Sequence, residues 1–476
     1  MNTFRSASGP ALEPAGRDRR WRALALLSLL QFLIAIDVTV VNVALPTIGS
    51  EFRAGATGMA WIVTGYTLVG GGLLLLGGRI TDLMGRRRMF LLGAAVFCVS
   101  SLVAGLAPNL PTLVAARFGQ GAGEALASPA AMSLIAMLFT KPAERAKALG
   151  VWGAISGLGL AGGVLLSGAL TELLHWRWIF FINLPLTAAV LLATPRLVRA
   201  DGPRSGGRLD LPGAVLLTTA PLALVYGVLQ AAHRPWTDLA VILPVTGGVL
   251  AMLLFVLVEA RTRNPLVPLS FFANRTRTVA NAATVLLSAA LSTTFFLSTL
   301  YMQQVLGLSP VRTGLAYLPF CAALLLTVTQ VSRIIGAIGM KYTAIAGLLC
   351  TALGTGWLAR LPVDGHLWID VIPAMTFTAV GMGAGLIALQ NAALHGVTDA
   401  DAGIASGVQR SVDQLGGALG MALLVGAAVA TAARTVGDDL AAQVSGYQTA
   451  FQYAMIAVLA AAVGVGVAAR GDRREE

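Results

Sequence analysis

The sequence predicts an all-α polytopic membrane protein with fourteen transmembrane helices. Of its 476 residues, 56% are hydrophobic and 12% are charged, whereas soluble domains carry roughly a quarter charged residues. The apolar residues fall in runs of about 20, the length that crosses a hydrocarbon core of ~30 Å. Basic residues gather in alternate loops, a pattern typical of chains that cross the membrane repeatedly.

Six spans are predicted before a polar connection in the middle of the chain. They cover 22–46, 59–79, 89–107, 111–139, 147–170 and 178–197. Two further spans follow the Gly- and Arg-rich stretch 202–208, whose composition is typical of a linker. The remaining eight spans cover 211–231, 239–259, 278–304, 313–335, 342–360, 367–390, 404–432 and 448–469.

The distribution of Lys and Arg predicts that both termini are cytoplasmic. With that orientation, 25 basic residues lie on the cytoplasmic side and six on the other side. Positive charge in short loops marks the cytoplasmic face. If one span were missed, every later loop would be assigned to the opposite side of the membrane and the asymmetry would be lost. The asymmetry therefore also supports the count of fourteen.

An internal repeat relates the two ends of the chain. Arg79 and Gly85, after the second span, recur as Arg333 and Gly339 after the tenth, and a basic residue follows two positions later in both copies. Repeated six-span units are common in transporters. The second copy lacks the aspartate and two arginines of the first, so the two halves are not functionally equal.

The repeat predicts the domain organisation. Two six-helix bundles are expected at 22–197 and 278–470, separated by a linker region, 198–277, that contains the two additional spans. Cytoplasmic tails are expected at 1–21 and 471–476.

The fourth span carries two charged residues at membrane depth, Arg117 and Glu124. They are two helical turns apart and share one face with Gln120. One charge at this depth costs roughly 2.5 to 3.5 kcal/mol on insertion scales, and such residues commonly line a transport pathway. The alternative is structural, with Arg117 paired to a neighbouring helix and Glu124 hydrogen-bonded to a backbone group.

Asp37 is a third charged residue at membrane depth, about fifteen residues into the first span. Helical rise brings it to a depth near that of Arg117, so the two residues are expected to be able to pair. A buried carboxylate that gains or loses an arginine partner can release or take up a proton. Asp37, Arg117 and Glu124 are therefore the predicted proton-coupling residues, and a permanent structural pair of Asp37 with Arg117 is the alternative.

The loop after the second span is the predicted gate. Gly78 and Gly85 allow two helices to approach closely, and Asp82 lies beside Arg86 and Arg87. Such a cluster can hold helix ends together in one conformation and release them in another. The alternative is an ordinary basic loop on the cytoplasmic face.

A mixture of hydroxyl, amide and aromatic side chains is suited to amphipathic ligands. The candidate substrate-cavity residues are Asn42, Trp61, Tyr66, Gln120, Ser292, Phe295, Phe296, Tyr301, Gln390 and Asn391. The alternatives are helix packing for the hydroxyl residues and interfacial anchoring for single aromatics. Arg410, Asp413 and Gln414 are expected to form a polar cluster within the second half.

Several motifs carry a family resemblance. The loop 78–88 reads GRITDLMGRRR and is similar to the signature loop of the major facilitator superfamily, in its usual place between spans 2 and 3. The segments 37–46, 117–123, 176–185 and 403–417 resemble motifs of the fourteen-helix drug/proton antiporter family within it. The resemblance covers nearly the whole chain. It implies proton-driven efflux of small, often amphipathic molecules.

Span 5 departs from the family pattern. Antiporters of this family usually carry Gly-Pro followed by Gly-Gly, whereas the corresponding segment here runs from Gly163 to Gly168 without proline. A proline would kink the helix. Its absence weakens the inference of antiport and leaves a proton-coupled uptake symporter as an alternative, and a membrane receptor or scaffold is an alternative from another class.

The predicted function is export of antibiotics or related compounds across the bacterial cytoplasmic membrane, driven by protons. No enzyme motif, phosphate-binding loop or metal-ligand spacing is found in the sequence, so no cofactor is expected. The expected partners are a small amphipathic substrate, protons and the lipid bilayer, without nucleic acid, and a monomer is favoured. Two carboxylates and one arginine in the first-half cavity favour neutral or cationic substrates.

Overall fold

The computed structural model describes residues 17–199, 209–262, 265–397, 402–435 and 438–468. Within these residues the fold is helical and contains no β-strand. The predicted linker segment 202–208, the C-terminal tail and most of the N-terminal tail lie outside the described residues.

The first six long helices precede the polar connection. They are α1 (Arg17–Phe52), α2 (Ala56–Met84), α3 (Arg86–Gly105), α4 (Leu110–Leu138), α5 (Pro142–Leu173) and α6 (Trp178–Leu197). A single turn residue, Ile182, interrupts α6. The helix α5 is continuous and has no proline beyond its first turn.

Eight helices follow the connection. They are α7 (Leu211–Ala231), α8 (Leu239–Arg261), α9 (Arg275–Val305), α10 (Pro310–Ile338), α11 (Met340–Leu358), α12 (Leu367–Ala393), α13 (Ala402–Ala432) and α14 (Asp439–Ala468). The last turn of α9 and the first turn of α12 are wider π-helical turns.

Twelve helices in the described part of the chain are long and apolar enough to cross a membrane. The two long helices outside this set are α5, which contains the shorter apolar segment Ala161–Leu173, and α11. Most helices extend beyond the predicted spans, as α1 does at both ends. An apolar run ends with the hydrocarbon core, whereas the hydrogen-bonded helix continues through the interface.

Polar caps fix the starts of several helices. Asn109 accepts a hydrogen bond from the Thr112 N–H (2.9 Å) at α4, and Asp210 accepts one from the Gly213 N–H (2.9 Å) at α7. Ser309 caps α10 in the same way. These side chains satisfy amide groups that have no partner within the helix.

Close packing relates helices within each half of the chain. In the first half, α4 packs against α2 and α3, and α1 packs against α5 and α6. In the second half, α9 packs against α12, α13 and α14, and α11 packs against α12 and α14. The pair α7 and α8 forms a hairpin, and α7 packs against both α2 and α13. The two additional helices therefore lie beside the junction of the halves.

Two helix pairs make the largest contacts between the halves. On one side α2 packs along α13, and the Ser411 hydroxyl donates to the Gly71 carbonyl (2.8 Å). On the other side α5 packs against the start of α10, where the Val311 N–H donates to Glu172 (2.8 Å). Gln303 adds a hydrogen bond from α9 to the Val43 carbonyl of α1 (2.8 Å).

The repeated loop has the same backbone form in both copies. Gly85 joins α2 to α3 with φ 96°, and Gly339 joins α10 to α11 with φ 83°. Each glycine donates its N–H to the carbonyl four residues earlier. Positive φ favours glycine because other residues meet a steric penalty there. The recurrence of glycine in the sequence therefore reflects one helix-helix turn used twice.

Candidate transport site

Asp37 of α1 and Arg117 of α4 form a fully buried ion pair, called the inner pair below. The Arg117 guanidinium donates through Nη1 to the Asp37 carboxylate. Asp37 is 0% exposed and Arg117 is 1% exposed. The two side chains meet across the α1–α4 boundary, as their matching depths in the sequence predict.

Neighbouring polar groups complete the hydrogen bonds of the inner pair. The Gln120 amide donates to Asp37 Oδ1 and to the Ser101 hydroxyl, both at 2.9 Å, and accepts from Arg117 Nη1 at 2.8 Å. Asn183 of α6 donates to the same carboxylate oxygen at 3.4 Å. Arg117 Nε donates to the Ile62 carbonyl of α2 at 3.0 Å. Four helices therefore hold both charges in place.

Tyr66 of α2 separates the inner pair from Glu124. The Arg117 guanidinium lies 4.4 Å from the centre of the Tyr66 ring, a cation–π contact. The Tyr66 hydroxyl points to the other side, close to the Glu124 carboxylate but without a well-formed hydrogen bond. Glu124 is therefore not a member of the Asp37–Arg117 network.

Glu124 instead bridges the two halves of the molecule. Its Oε1 accepts from Arg410 Nη2 at 3.4 Å and from the Gln414 amide at 3.1 Å, and both partners lie on α13. Its Oε2 is buried and has no hydrogen-bond partner among the described residues. Glu124 and Arg410 are called the bridging pair below. An unsatisfied oxygen on a buried carboxylate is costly unless a proton or a ligand reaches it.

The two members of the bridging pair differ in their exposure. The Glu124 side chain is 1% exposed, whereas that of Arg410 is 49% exposed. Arg410 lies two turns into α13 and faces α4 of the other half. Asp413, one turn further along α13, accepts a hydrogen bond from the Ser288 hydroxyl of α9.

Two glycines of α2 allow Gln414 to reach Glu124. A Cβ atom at Gly70 would lie 3.0 Å from Gln414 Oε1 and 3.4 Å from Glu124 Oε2. A Cβ at Gly71 would lie 2.9 Å from the Gln414 Cβ, closer than side chains normally approach. Small residues let helix backbones come together in membranes. The contact between Gln414 and Glu124 therefore requires that α2 carry no side chain at Gly70 and Gly71.

The profile of the Major Facilitator Superfamily matches residues 27–421 of this chain. The chain belongs to the major facilitator superfamily. Membership of this superfamily identifies the chain as a membrane transporter. Its helices match the all-helical architecture of the superfamily fold.

Two superfamily relatives are similar over most of their length. The lincomycin resistance protein of Streptomyces lincolnensis is 52% identical over 424 residues, which cover 88% of this chain and 87% of the relative. The cephamycin export protein of Amycolatopsis lactamdurans is 36% identical over 445 residues, covering 93% and 91%. The apolar helices and these bacterial superfamily relatives identify a multi-pass protein of the cytoplasmic membrane.

A solved structure shares the fold. It is a bacterial homologue of the human lysosomal transporter Spinster, in an inward-facing conformation, which aligns with a TM-score of 0.68 over 95% of this chain and 98% of its own. The identity of 16% supports the architecture alone.

The predicted gating residues lie at the turn between α2 and α3. Gly78 and Asp82 are on the last two turns of α2, and Asp82 is exposed. Arg86 and Arg87 begin α3, and Arg87 donates to the Val198 carbonyl at the end of α6 (3.1 Å). This loop is thereby tied to the connection that leaves the first half, and its gating role stays a prediction.

The candidate cavity residues of the first half lie in three places. Gln120 and Tyr66 belong to the polar network around the inner pair. Asn42, 6% exposed, donates to the Val38 carbonyl of its own helix. Trp61 lies with its ring 6.4 Å from both Phe118 and Tyr226, next to the α7 hairpin.

The candidate cavity residues of the second half are not gathered at one site. Phe296 and Tyr301 are fully buried, and the Tyr301 hydroxyl donates to the Pro362 carbonyl (2.6 Å). Phe295 stacks on Tyr317 with ring centres 4.6 Å apart, and Ser292 faces α13 at Gly417. Gln390 and Asn391 are exposed at the end of α12. Contact of these residues with a substrate stays a prediction.

The structure does not show the single polar cluster that was expected within the second half for Arg410, Asp413 and Gln414. Arg410 and Gln414 contact Glu124 of α4, while Asp413 contacts Ser288 of α9. The four-residue spacing of Arg410 and Gln414 indicates a common helical face. That spacing does not reveal the partner, because the partner depends on how the halves pack.

Sequence reasoning also missed Asn183, which donates to Asp37, and Ser101, which accepts from Gln120 and Asn183. Ser101 and Asn183 lie on α3 and α6, and each looks like an ordinary polar residue in an apolar run. Asn183 falls within the segment 176–185 that resembles a family motif, which is the one signal available in the sequence.

The proline-free segment of α5 packs tightly against two helices. The Ser167 hydroxyl donates to the Val40 carbonyl of α1, and a Cβ at Gly163 would collide with the Thr39 hydroxyl. Gly168 lies against the Pro310 carbonyl of α10. In this structure the segment belongs to one continuous helix that contacts α1 in its own half and α10 in the other.

Proposed function

We propose that this chain exports antibiotics or related small amphipathic molecules from the cytoplasm in exchange for protons. The observation that carries the proposal is the bridging pair: a buried carboxylate on α4 that contacts a half-exposed arginine on α13 of the other half. Such a group lies where an alternating-access motion would change its surroundings. The names of the two relatives, lincomycin resistance and cephamycin export, support efflux and the antibiotic class of substrate.

The proposed topology has fourteen spans with both termini in the cytoplasm. We assign α5 and α11 as the fifth and eleventh spans, because without them the basic loops would no longer alternate with the poorly charged ones. The two bundles are α1 to α6 and α9 to α14, which correspond to the predicted regions 22–197 and 278–470. The hairpin of α7 and α8 is the insertion between them.

In the proposed mechanism Glu124 is the carboxylate that takes up the proton. In the described state Arg410 and Gln414 occupy one of its oxygens, and the other has no well-formed hydrogen bond although the Tyr66 hydroxyl is close to the carboxylate. Separation of α13 from α4 would remove the arginine and leave a buried negative charge. Protonation then stabilises the separated state, because burial favours the neutral form of a carboxyl group.

The inner pair has a different role in this mechanism. Every oxygen of Asp37 and the guanidinium of Arg117 have partners on α2, α4 and α6. All of these belong to one half, so a rigid-body motion of the halves leaves them unchanged. We propose that the inner pair positions α4, and through Tyr66 the Glu124 side chain, rather than exchanging a proton in each cycle.

The space beside Arg410 is the proposed substrate site. A compound bound there would contact Glu124, Arg410 and the Tyr66 hydroxyl. Arg410 adds a guanidinium to the two carboxylates and one arginine counted in the sequence, and Asp413 adds a third carboxylate, so neutral or cationic substrates stay favoured.

The proton gradient is the proposed energy source, without a cofactor, and a monomer is the proposed working unit.

A drug-susceptibility panel tests the proposal. Bacterial cells that overexpress the wild-type chain should tolerate higher concentrations of at least one antibiotic, with lincomycin as the first compound tried. The Glu124→Gln variant, produced at the same level in the membrane, should give no protection. Equal protection by both would contradict a transport role for the bridging pair and would favour a receptor or scaffold.

Sealed membrane vesicles decide the direction of coupling. In everted vesicles an imposed gradient, acidic inside, should drive uptake of the protective antibiotic into the lumen as protons leave. Movement of the antibiotic together with protons would contradict antiport. It would favour the uptake symporter that the missing proline of α5 leaves open.

A further inference from the structure

A second pair of buried carboxylates lies outside the transport site, at the base of the α7–α8 hairpin. Asp210 immediately precedes α7 and is 5% exposed, and Glu259 lies near the end of α8 and is 3% exposed. The two residues therefore meet where the chain enters and leaves the insertion. Neither belongs to the network of the inner pair or of the bridging pair.

Each carboxylate has one satisfied oxygen and one unsatisfied oxygen. Asp210 Oδ1 accepts from the Gly213 N–H at 2.9 Å, and Glu259 Oε2 accepts from the Val267 N–H at 3.0 Å. The other oxygens, Asp210 Oδ2 and Glu259 Oε1, are buried and have no hydrogen-bond partner within the described part of the chain. Such orphan acceptors are rare in folded proteins and require an explanation.

The two unsatisfied oxygens face the same point. A Cβ atom on Gly213 would lie 2.6 Å from Glu259 Oε1 and 2.7 Å from Asp210 Oδ2. The absence of a side chain at Gly213 is therefore what allows the carboxylates to converge. Two ionised carboxylates in this position would repel each other in a poorly hydrated place, where one shared proton satisfies both oxygens.

Among the residues that the structure describes, the surroundings of this pair leave the proton as the ligand. Asp210 is the charged side chain that acts on Glu259, and the other polar contacts are the N–H groups of Val267 and Leu266. Arg261, on the same helix, is exposed. The helices packed on α7 touch it further along, as α2 does through Gly72 at Thr218.

We propose that Asp210 and Glu259 form a second proton-binding site, in which one proton shared by the two carboxylates fastens the α7–α8 hairpin to the segment that leads into α9. With the proton present, Asp210 and Glu259 stay together and Glu259 holds the Val267 backbone. Loss of the proton places two negative charges side by side and releases this connection. The site is independent of the proposed transport function.

Infrared difference spectroscopy on the purified full chain tests the site directly. The measurement uses the Glu124→Gln background, so that the proposed transport carboxylate does not contribute, and it retains Asp37 because its loss would leave Arg117 buried and unpaired. At neutral pH this background should show the carbonyl stretch of a neutral carboxylic acid, and both Glu259→Gln and Asp210→Asn should remove it. A band that survives in both variants would overturn the proposal.

The pH dependence of stability gives a second readout. A proton bound more tightly in the folded state than in the unfolded state stabilises the protein at low pH, and this stabilisation is lost as pH rises. Between about pH 6 and about pH 9 the unfolding midpoint of the parent should fall by roughly 2 °C more than that of Glu259→Gln. The glutamine retains the acceptor for Val267 and donates to Asp210, so it mimics the protonated acid.

Two controls keep this result specific. Gly213→Ala should lower the unfolding midpoint because its Cβ occupies the point where the carboxylates meet, whereas Gly247→Ala on α8, with open space around it, should not. Added Mg²⁺ should not replace the proton. Abolition of the carboxylic acid band by Mg²⁺ in the parent would overturn the proposal in favour of a cation site.

Discussion

The inner pair and the bridging pair are both buried arginine–carboxylate contacts on α4, two helical turns apart, but they differ in what surrounds them. The inner pair has both charges buried, and both carboxylate oxygens of Asp37 and two nitrogens of Arg117 have partners on helices of one half. The bridging pair joins different halves, leaves one carboxylate oxygen without a partner and has an arginine that is half exposed. Burial of charge alone therefore does not identify the group that moves a proton.

This difference matters because a buried pair and an open pair respond differently to the loss of one partner. Removing a partner from a fully buried pair strands a charge away from water. Removing a partner from a pair beside an open space lets water or ligand replace it. The comparison predicts that damage to the inner pair acts on stability, and that damage to the bridging pair acts on coupling.

The largest expected effect is on stability and comes from the inner pair. Arg117→Ala should destabilise the protein by about 3 to 5 kcal/mol, because Asp37 is left charged and buried. Thermal unfolding of the purified protein in detergent measures this. Arg410→Ala is the matched control and should cost less than about 1 kcal/mol, because its side chain is half exposed and Glu124 can take up a proton when the arginine is absent. Equal destabilisation by the two variants would remove the distinction between the pairs.

The next effect is on coupling and comes from the bridging pair. Glu124→Gln should lower gradient-driven antibiotic transport in everted vesicles by about tenfold or more, while exchange of labelled for unlabelled antibiotic without a gradient should persist. The amide retains the shape and loses the titrating group. Loss of exchange together with gradient-driven transport would mean that Glu124 is needed for binding rather than for coupling.

A smaller effect is expected at the glycines of α2. Gly71→Ala places a methyl group 2.9 Å from the Gln414 Cβ and should push α2 away from α13. Transport should fall about three- to tenfold with little loss of stability, because close helix contact is weakened at one point. Gly153→Ala on α5, where a Cβ meets open space, is the control and should retain wild-type transport.

The smallest effect is expected at the edge of the inner network. Ser101→Ala removes an acceptor for Gln120 and for Asn183, which should cost about 1 kcal/mol of stability without changing coupling. Thermal unfolding and vesicle transport measured on one preparation check both parts. A change in the proton dependence of transport would show that the inner network takes part in proton exchange.

The sequence contained the inner pair but not the bridging pair, and the reason is geometric. Asp37 and Arg117 lie on helices that enter from opposite sides, so a fixed rise per residue places them at one depth. Glu124 and Arg410 are 286 positions apart and meet only through the packing of α2 and α4 against α13. The helical periodicity of a segment shows which residues share a face, but not which helix of the other half that face contacts. The all-helical class followed from composition, and the turn at Gly85 and Gly339 followed from the repeat.

Proton release on substrate binding tests the central claim most directly. Lightly buffered, purified protein is mixed with the antibiotic that gives the largest resistance ratio in the susceptibility panel, and the pH change is recorded. We expect the wild-type chain and Asp37→Asn to release a proton, and Glu124→Gln to bind the antibiotic without release. Release that persists in Glu124→Gln and disappears in Asp37→Asn would contradict the assignment and move the coupling site to the inner pair.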